Sequence, residues 1–268
     1  MTPVEPFFRT AGDGCGVLCF HANASSSSQW RGLMERLSGD YRVFAPDSYG
    51  AGKTPHWGGR RLLTLADEVD LIEPLLLRAR PPLALVGHSY GGAIALLAAL
   101  RHPEKVRALA LYEPTLFSLL DAESPPPNAA DGIRNTVTTA LRALEANDPS
   151  AAAECFIDYW MEPGAWQQIP KERRPAILAS IVNIPHWAHA LTRDPTPLDA
   201  FRRLDMPVLY MTGERSPASS LAVARLLAGA LPDVRRVDFA GLGHMGPVTD
   251  PEPVSDEIER FLASLPRH

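Results

Sequence analysis

The pentapeptide Gly87-His88-Ser89-Tyr90-Gly91 lies between the apolar run Leu83-Ala84-Leu85-Val86 and an alanine- and leucine-rich segment. That order predicts a strand, a sharp turn and a helix, with a serine displayed on the turn. Flanking glycines are required because the turning residue is strained and its neighbours pack too closely to carry side chains. A serine hydroxyl is a poor nucleophile until an imidazole accepts its proton. Among eight histidines, His244 is the one placed to do so, in Gly241-Leu242-Gly243-His244-Met245-Gly246-Pro247 just after the last predicted strand. The chemistry this pair suggests is attack on an ester-type carbonyl through an acyl-enzyme. His56, His102 and His268 read as loop or terminal residues, and His88 as support for the turn.

Such an attack puts negative charge on the carbonyl oxygen, which needs hydrogen-bond donors. One is expected to be the backbone N–H of Tyr90, immediately after the nucleophile. The second is expected from Phe20-His21-Ala22-Asn23-Ala24, as the N–H of Asn23 or of Ala22. Ser25–Ser28 then begins a helix, with Ser25 or Ser26 capping it.

The elements that must position these groups alternate along the chain. Strand-length apolar runs cover Gly16–His21, Arg42–Pro46, Leu83–Gly87, Arg107–Tyr112, Pro207–Thr212 and Arg235–Phe239. Helical periodicity covers Ser27–Leu37, Leu65–Ala79, Ser89–Arg101, Ala218–Ala230 and Val254–Ala263. The pattern predicts an α/β fold with a mostly parallel sheet buried on both faces. Residues 115–204 interrupt it. Their proline-rich start, Asp121–Asn128, reads as irregular, and amphipathic stretches follow at Ile133–Ala146, Ala151–Met161 and Arg173–Leu191. This segment is expected to be a helical cap on a core made of 1–114 and 205–268.

With these residues in place, the chain resembles the α/β-hydrolase superfamily over nearly its whole length. Asp47-Ser48-Tyr49-Gly50-Ala51-Gly52-Lys53-Thr54 is similar to the family's Asp-x-x-Gly-x-Gly-x-Ser turn. Two departures stand out. His21-Ala22 replaces the usual His-Gly after the oxyanion strand. In Thr212-Gly213-Glu214-Arg215-Ser216-Pro217, Ser216 occupies the place of the family's aspartate. A neutral serine cannot stabilise an imidazolium, and losing the carboxylate costs a triad enzyme about ten-thousandfold in turnover. The carboxylate is therefore expected from Glu113, in Leu111-Tyr112-Glu113-Pro114, because the carboxyl ends of neighbouring strands meet at one crevice. Some α/β-hydrolases, haloalkane dehalogenases among them, are similar in carrying a glutamate on this strand. Glu214 is the alternative, and a site without an acid is the third.

The dehalogenases are also similar in having an asparagine beside the oxyanion loop, matched by Asn23. Their nucleophile is an aspartate, however, and a serine ether could not be released by the same water attack, so acyl chemistry is the consistent reading. The pocket is expected to include Trp160, Trp187, Tyr49 and Met245, which favours a small or medium apolar ester. Most of the remaining cap aromatics, and Trp30, are assigned to packing. Alternatives on the same fold are a cofactor-free haloperoxidase or perhydrolase, a C–C bond hydrolase, a lactonase, or a non-catalytic binding protein.

Net charge is −5 without a basic stripe, which argues against a nucleic-acid partner. Cys15, Cys19 and Cys155 fit no disulfide or zinc spacing and read as free thiols. No cofactor or metal is expected; the partner is a small molecule, and the chain a monomer or homodimer. Met1-Thr2-Pro3-Val4-Glu5 lacks the pattern of a signal peptide or membrane anchor, so a cytoplasmic location is the default expectation.

Overall fold

A computed structural model describes residues 4–266; Met1–Pro3, the first part of the N-terminal reading, and His268 lie outside the described residues. Within them, seven strands form one sheet in the order β1-β3-β2-β4-β5-β6-β7. They are β1 (Phe8–Ala11), β2 (Cys15–Phe20), β3 (Tyr41–Pro46), β4 (Leu83–His88), β5 (Val106–Tyr112), β6 (Val208–Gly213) and β7 (Val234–Phe239). Only β1 is antiparallel, pairing Phe8–Ala11 with Val43–Pro46 of β3. It is a correction to the six strands expected. Four residues at a sheet edge, one of them exposed, are too few to print an apolar run.

Successive residues of a strand face opposite sides of a sheet. Leu18, Phe20, Leu83, Leu85, Leu109 and Leu111 accordingly pack on one face, with α2 (Leu65–Arg78), α3 (Tyr90–Arg101) and α10 (Ala218–Ala230). Val17, Cys19, Ala84, Val86, Ala108 and Ala110 pack on the other, against α1 (Arg31–Leu37) and α12 (Pro251–Ser264). Burial on both sides explains the nearly continuous apolar strands. Thr64 and Asp67 start α2 as a reciprocal capping box, and Ser26 accepts from the N–H of Ser28 at the head of the 3₁₀ turn before α1.

Between β5 and β6 the chain forms α4 (Ser118–Glu123), α5 (Asp131–Glu145), α6 (Pro149–Trp160), α7 (Ala165–Gln168), α8 (Arg174–Ile181) and α9 (Ile184–Thr192). The stretch expected to be irregular thus begins inside α4, and the helical run expected over Arg173–Leu191 is two helices. Asn183 stands at the break, its carboxamide donating to the carbonyls of Gly50 at 3.2 Å and Ser180 at 2.9 Å. Phe156, Trp160, Trp166, Ile184 and Trp187 join the same buried cluster as the α3 face of the sheet, so the insertion sits directly over the carboxyl edge of the strands. The remaining short helix, α11 (Gly246–Thr249), follows the His244 loop. Among the described residues, no helix is long and apolar enough to cross a membrane.

Candidate active site

β4 ends at His88 and α3 begins at Tyr90, which leaves Ser89 alone on the turn with φ 56° and ψ −117°. An L-residue rarely adopts that conformation, and the tight packing around it is what enforces it. A Cβ on Gly91 would lie 2.3 Å from the Phe20 carbonyl oxygen. Only a glycine there lets α3 start against the end of β2, and this approach brings the loop after β2 beside Ser89.

His244 reaches Ser89 from the loop after β7. Its Nε2 accepts from Ser89 Oγ at 2.9 Å, while its Nδ1 donates to Glu113 Oε2 at 2.7 Å. The loop is pinned from both sides, by Tyr112 Oη donating to the Gly243 carbonyl and His88 Nε2 donating to the His244 carbonyl, each at 2.8 Å. His88 is fully buried, and burial holds it well below the usual imidazole range, hence neutral. Gln29 Nε2 donates to its other nitrogen at 3.1 Å, and Gln29 Oε1 accepts from the Ala22 N–H at 3.1 Å. One glutamine thereby ties the β2 loop to the elbow and to the histidine loop.

Glu113 is the residue after β5, at φ 45°, and it is completely buried. Its second oxygen, Oε1, accepts from the N–H of Gly213 at 2.7 Å and the hydroxyl of Ser216 at 2.6 Å. Three donors thus satisfy both oxygens of this buried side chain, as an apolar interior requires of a polar group. Ser220 Oγ stands 3.3 Å from the same His244 nitrogen. Glu214 is exposed on the surface.

Of the two N–H groups expected to donate from this loop, that of Ala22 is already engaged by Gln29. The Tyr90 N–H, first in α3, lies outside the helical ladder as first-turn N–H groups do. His21, buried behind the loop, donates from Nδ1 to the Ala22 carbonyl at 2.7 Å and accepts the Ser48 N–H at 3.1 Å. Asp47 accepts the N–H groups of Ser27 at 2.6 Å and Lys53 at 2.9 Å, which fixes the turn after β3 against the same loop.

A cavity of about 460 Å³ opens on Ser89 and His244. Its walls are largely apolar, with Phe117, Phe156, Trp160, Trp187 and Leu191 lining it, and Arg134 and Arg193 line it as well. The Trp160 ring lies over the His244 imidazole, 4.2 Å between centroids and 30° from parallel. Two polar atoms of the lining, Thr115 Oγ1 and Asn23 Oδ1, are buried and have no hydrogen-bond partner among the described residues.

The comparisons with known proteins agree with this fold. Residues 17–251 match the family model described as the alpha/beta hydrolase fold. The chain belongs to the α/β-hydrolase family. This α/β hydrolase is 30% identical to 2-(acetamidomethylene)succinate hydrolase of Mesorhizobium japonicum, over 95% of this chain and 90% of that one. It is 26% identical to pimeloyl-[acyl-carrier protein] methyl ester esterase of Aliivibrio salmonicida, over 96% and 95% of the two chains. A solved α/β hydrolase from Sphaerobacter thermophilus superposes with a TM-score of 0.75 at 23% identity, covering 96% of each chain.

Of the residues expected at the hydrolase site, Ser89, His244, Glu113, Asn23 and Tyr90 are brought together. Trp160, Trp187 and Met245 line the cavity. Tyr49 does not, which corrects the expectation for it. It is buried in a separate cluster with Leu63 and Leu71, its ring edge-on to Trp57 at 5.1 Å. Tyr159 is held away too, by a 2.8 Å hydrogen bond to Ser219. Sequence reasoning missed Gln29, Thr115, Phe117 and Ser220. Thr115 and Phe117 follow β5 directly, a position that could have flagged them, whereas nothing local marks Gln29 or Ser220.

Proposed function

We propose that this α/β hydrolase cleaves small to medium apolar carboxylic esters through a Ser89 acyl-enzyme, with residues 115–204 acting as the cap that forms the acyl pocket. The observation that carries the reading is the unbroken hydrogen-bonded line from Ser89 Oγ through His244 to Glu113, opening into an apolar cavity. Ser89 Oγ bonds to the carbonyl carbon while its proton passes to His244 Nε2. The carbonyl oxygen, now anionic, is held by the N–H groups of Asn23 and Tyr90. As the carbon–oxygen bond to the alcohol breaks, His244 returns the proton to the leaving oxygen. A water then gives its proton to His244 and attacks the acyl carbon, and Ser89 is released with its proton restored.

Glu113 keeps Nδ1 of His244 protonated, so that Nε2 faces the serine, and its charge stabilises the imidazolium formed in each half-reaction. The names of two relatives, a methyl ester esterase and a hydrolase, support a hydrolytic reaction of this kind. Ser89→Ala is expected to abolish turnover of methyl butanoate, followed by acid release, while the circular dichroism spectrum and melting temperature stay at wild-type values. Undiminished turnover by that variant rejects the reading.

A further inference from the structure

We infer that Trp160 and Met245 form a wall on the leaving-group side of the site, making this enzyme selective for esters of small alcohols on longer acyl chains. The inference rests on the proposed roles of Ser89 and His244 and adds an orientation for the substrate.

The leaving oxygen must lie within hydrogen-bond reach of His244 Nε2, because that nitrogen returns the proton to it. The alcohol therefore extends along the His244 side of the cavity. On that side the indole of Trp160 covers one face of the imidazole, and His88, 5.3 Å away between centroids, packs near it as well. Trp160 is 7% exposed and is itself wedged by Tyr159 at 4.9 Å, Phe156 at 6.2 Å and Phe117 at 6.3 Å between ring centroids, so it has little freedom to swing aside. Away from Trp160 the cavity is lined by Ile133, Val137, Ile184, Trp187 and Leu191. An acyl chain fits there, and a bulky alcohol does not fit between His244 and the indole.

Behind the wall is a second space. A groove of about 450 Å³ is bordered by Met161, Glu162, Arg215 and Gly243, and it shares Trp160 and Met245 with the acyl cavity. Neither Ser89 nor His244 reaches it. The two side chains shared by both spaces are what separates them. Truncating either one would join the groove to the site and give a large alcohol somewhere to go.

The test uses hexanoate esters of methanol, 2-propanol and cyclohexanol, with methyl esters of four- to ten-carbon acids as the acyl series. For the wild type, kcat/KM is expected to fall by at least about tenfold from methyl to cyclohexyl, the scale on which a pocket discriminates by a few carbons, and to vary less across the acyl series. In Trp160→Ala the cyclohexyl-to-methyl ratio should rise about tenfold or more, whatever happens to the absolute rate, and in Met245→Ala it should rise in the same direction. Met245→Ala leaves the ring packing around Trp160 intact, so it decides the matter if Trp160→Ala does not fold. A wild type indifferent to alcohol size, or ratios unchanged in the folded variants, overturns the wall. Fluorophosphonate labelling of Ser89 in each protein keeps the two ideas apart: an unlabelled wild type counts against the proposed reaction, and a labelled variant with an unchanged ratio against the wall alone.

Discussion

Ser216 and His244 meet on the two oxygens of one carboxylate: the Ser216 hydroxyl donates to Glu113 Oε1 at 2.6 Å, while Glu113 Oε2 accepts from His244 Nδ1 at 2.7 Å. In the proposed mechanism the carboxylate stands at the end of β5, and the serine of the loop after β6 is one of its donors. Glu113→Gln should therefore lower kcat by about 10³ to 10⁴, because the amide can no longer balance the imidazolium. Glu214→Gln, on an exposed side chain, should stay within about twofold of wild type, the scale of surface substitutions. Steady-state rates on one methyl ester decide between them. Loss confined to the Glu214 variant rejects the assignment.

The same geometry predicts a transplant. With Glu113→Ala the carboxylate is gone, and Ser216→Asp in that background restores one at the family's position, within reach of the site Glu113 Oε1 had occupied. The double variant should recover at least about tenfold of the lost kcat, a fraction of the full effect of a triad acid. In the presence of Glu113, Ser216→Asp alone should instead lower both activity and melting temperature. Two carboxylates would then stand within contact distance in a buried site, where like charges resist joint ionisation. A double variant no faster than Glu113→Ala would show that position 216 cannot address His244 in this chain.

The core of the site was legible because its signals are local. Gly87 and Gly91 around Ser89, the glycines before His244, and the alternation of apolar runs with helical periods each lie within a dozen residues. Glu113 was legible by position, since a charged residue closing a fully apolar strand has few bland explanations. Its donors were not: Gly213 and Ser216 are 100 and 103 residues away, and only tertiary packing sets which groups meet. Tyr49 was misplaced for the same reason, its ring turning to Trp57 rather than to the cavity. The break between α8 and α9 could have been read, because Pro185 stands in the first turn of α9, where proline begins helices rather than continuing them.

Thr115 offers a stability test inside the cavity. Its Oγ1 is buried without a partner among the described residues, and an orphaned polar group costs about 1–3 kcal/mol. Thr115→Val keeps the branched shape and removes the hydroxyl, so the variant should be more stable by about 1 kcal/mol in urea melts. Reduced stability in a variant with an unchanged denaturant slope would mean that the hydroxyl is satisfied in solution.

Glu68 predicts how stability depends on pH. It lies in α2 beneath the elbow, fully buried, with Tyr90 Oη donating to it at 3.1 Å and the Tyr49 N–H at 3.4 Å. No cation pairs with it among the described residues. Burial pushes its carboxyl up from the ordinary 4.5 to about 8, with the nearby Asp67 charge adding in the same direction. Below pH 4.5 the folded and unfolded chains both hold this proton. Between 4.5 and 8 the unfolded chain releases it while the folded chain keeps it, so stability must fall as pH rises across that window and level off above it. The loss is bounded at roughly 5 kcal/mol by the size of the shift. Glu68→Gln retains an acceptor for Tyr90 and cannot ionise, so its stability relative to wild type should grow steadily from pH 5 to pH 8. Urea melts of both proteins at half-unit steps read this directly. Parallel curves over that range would mean that Glu68 titrates alike in the folded and unfolded chains.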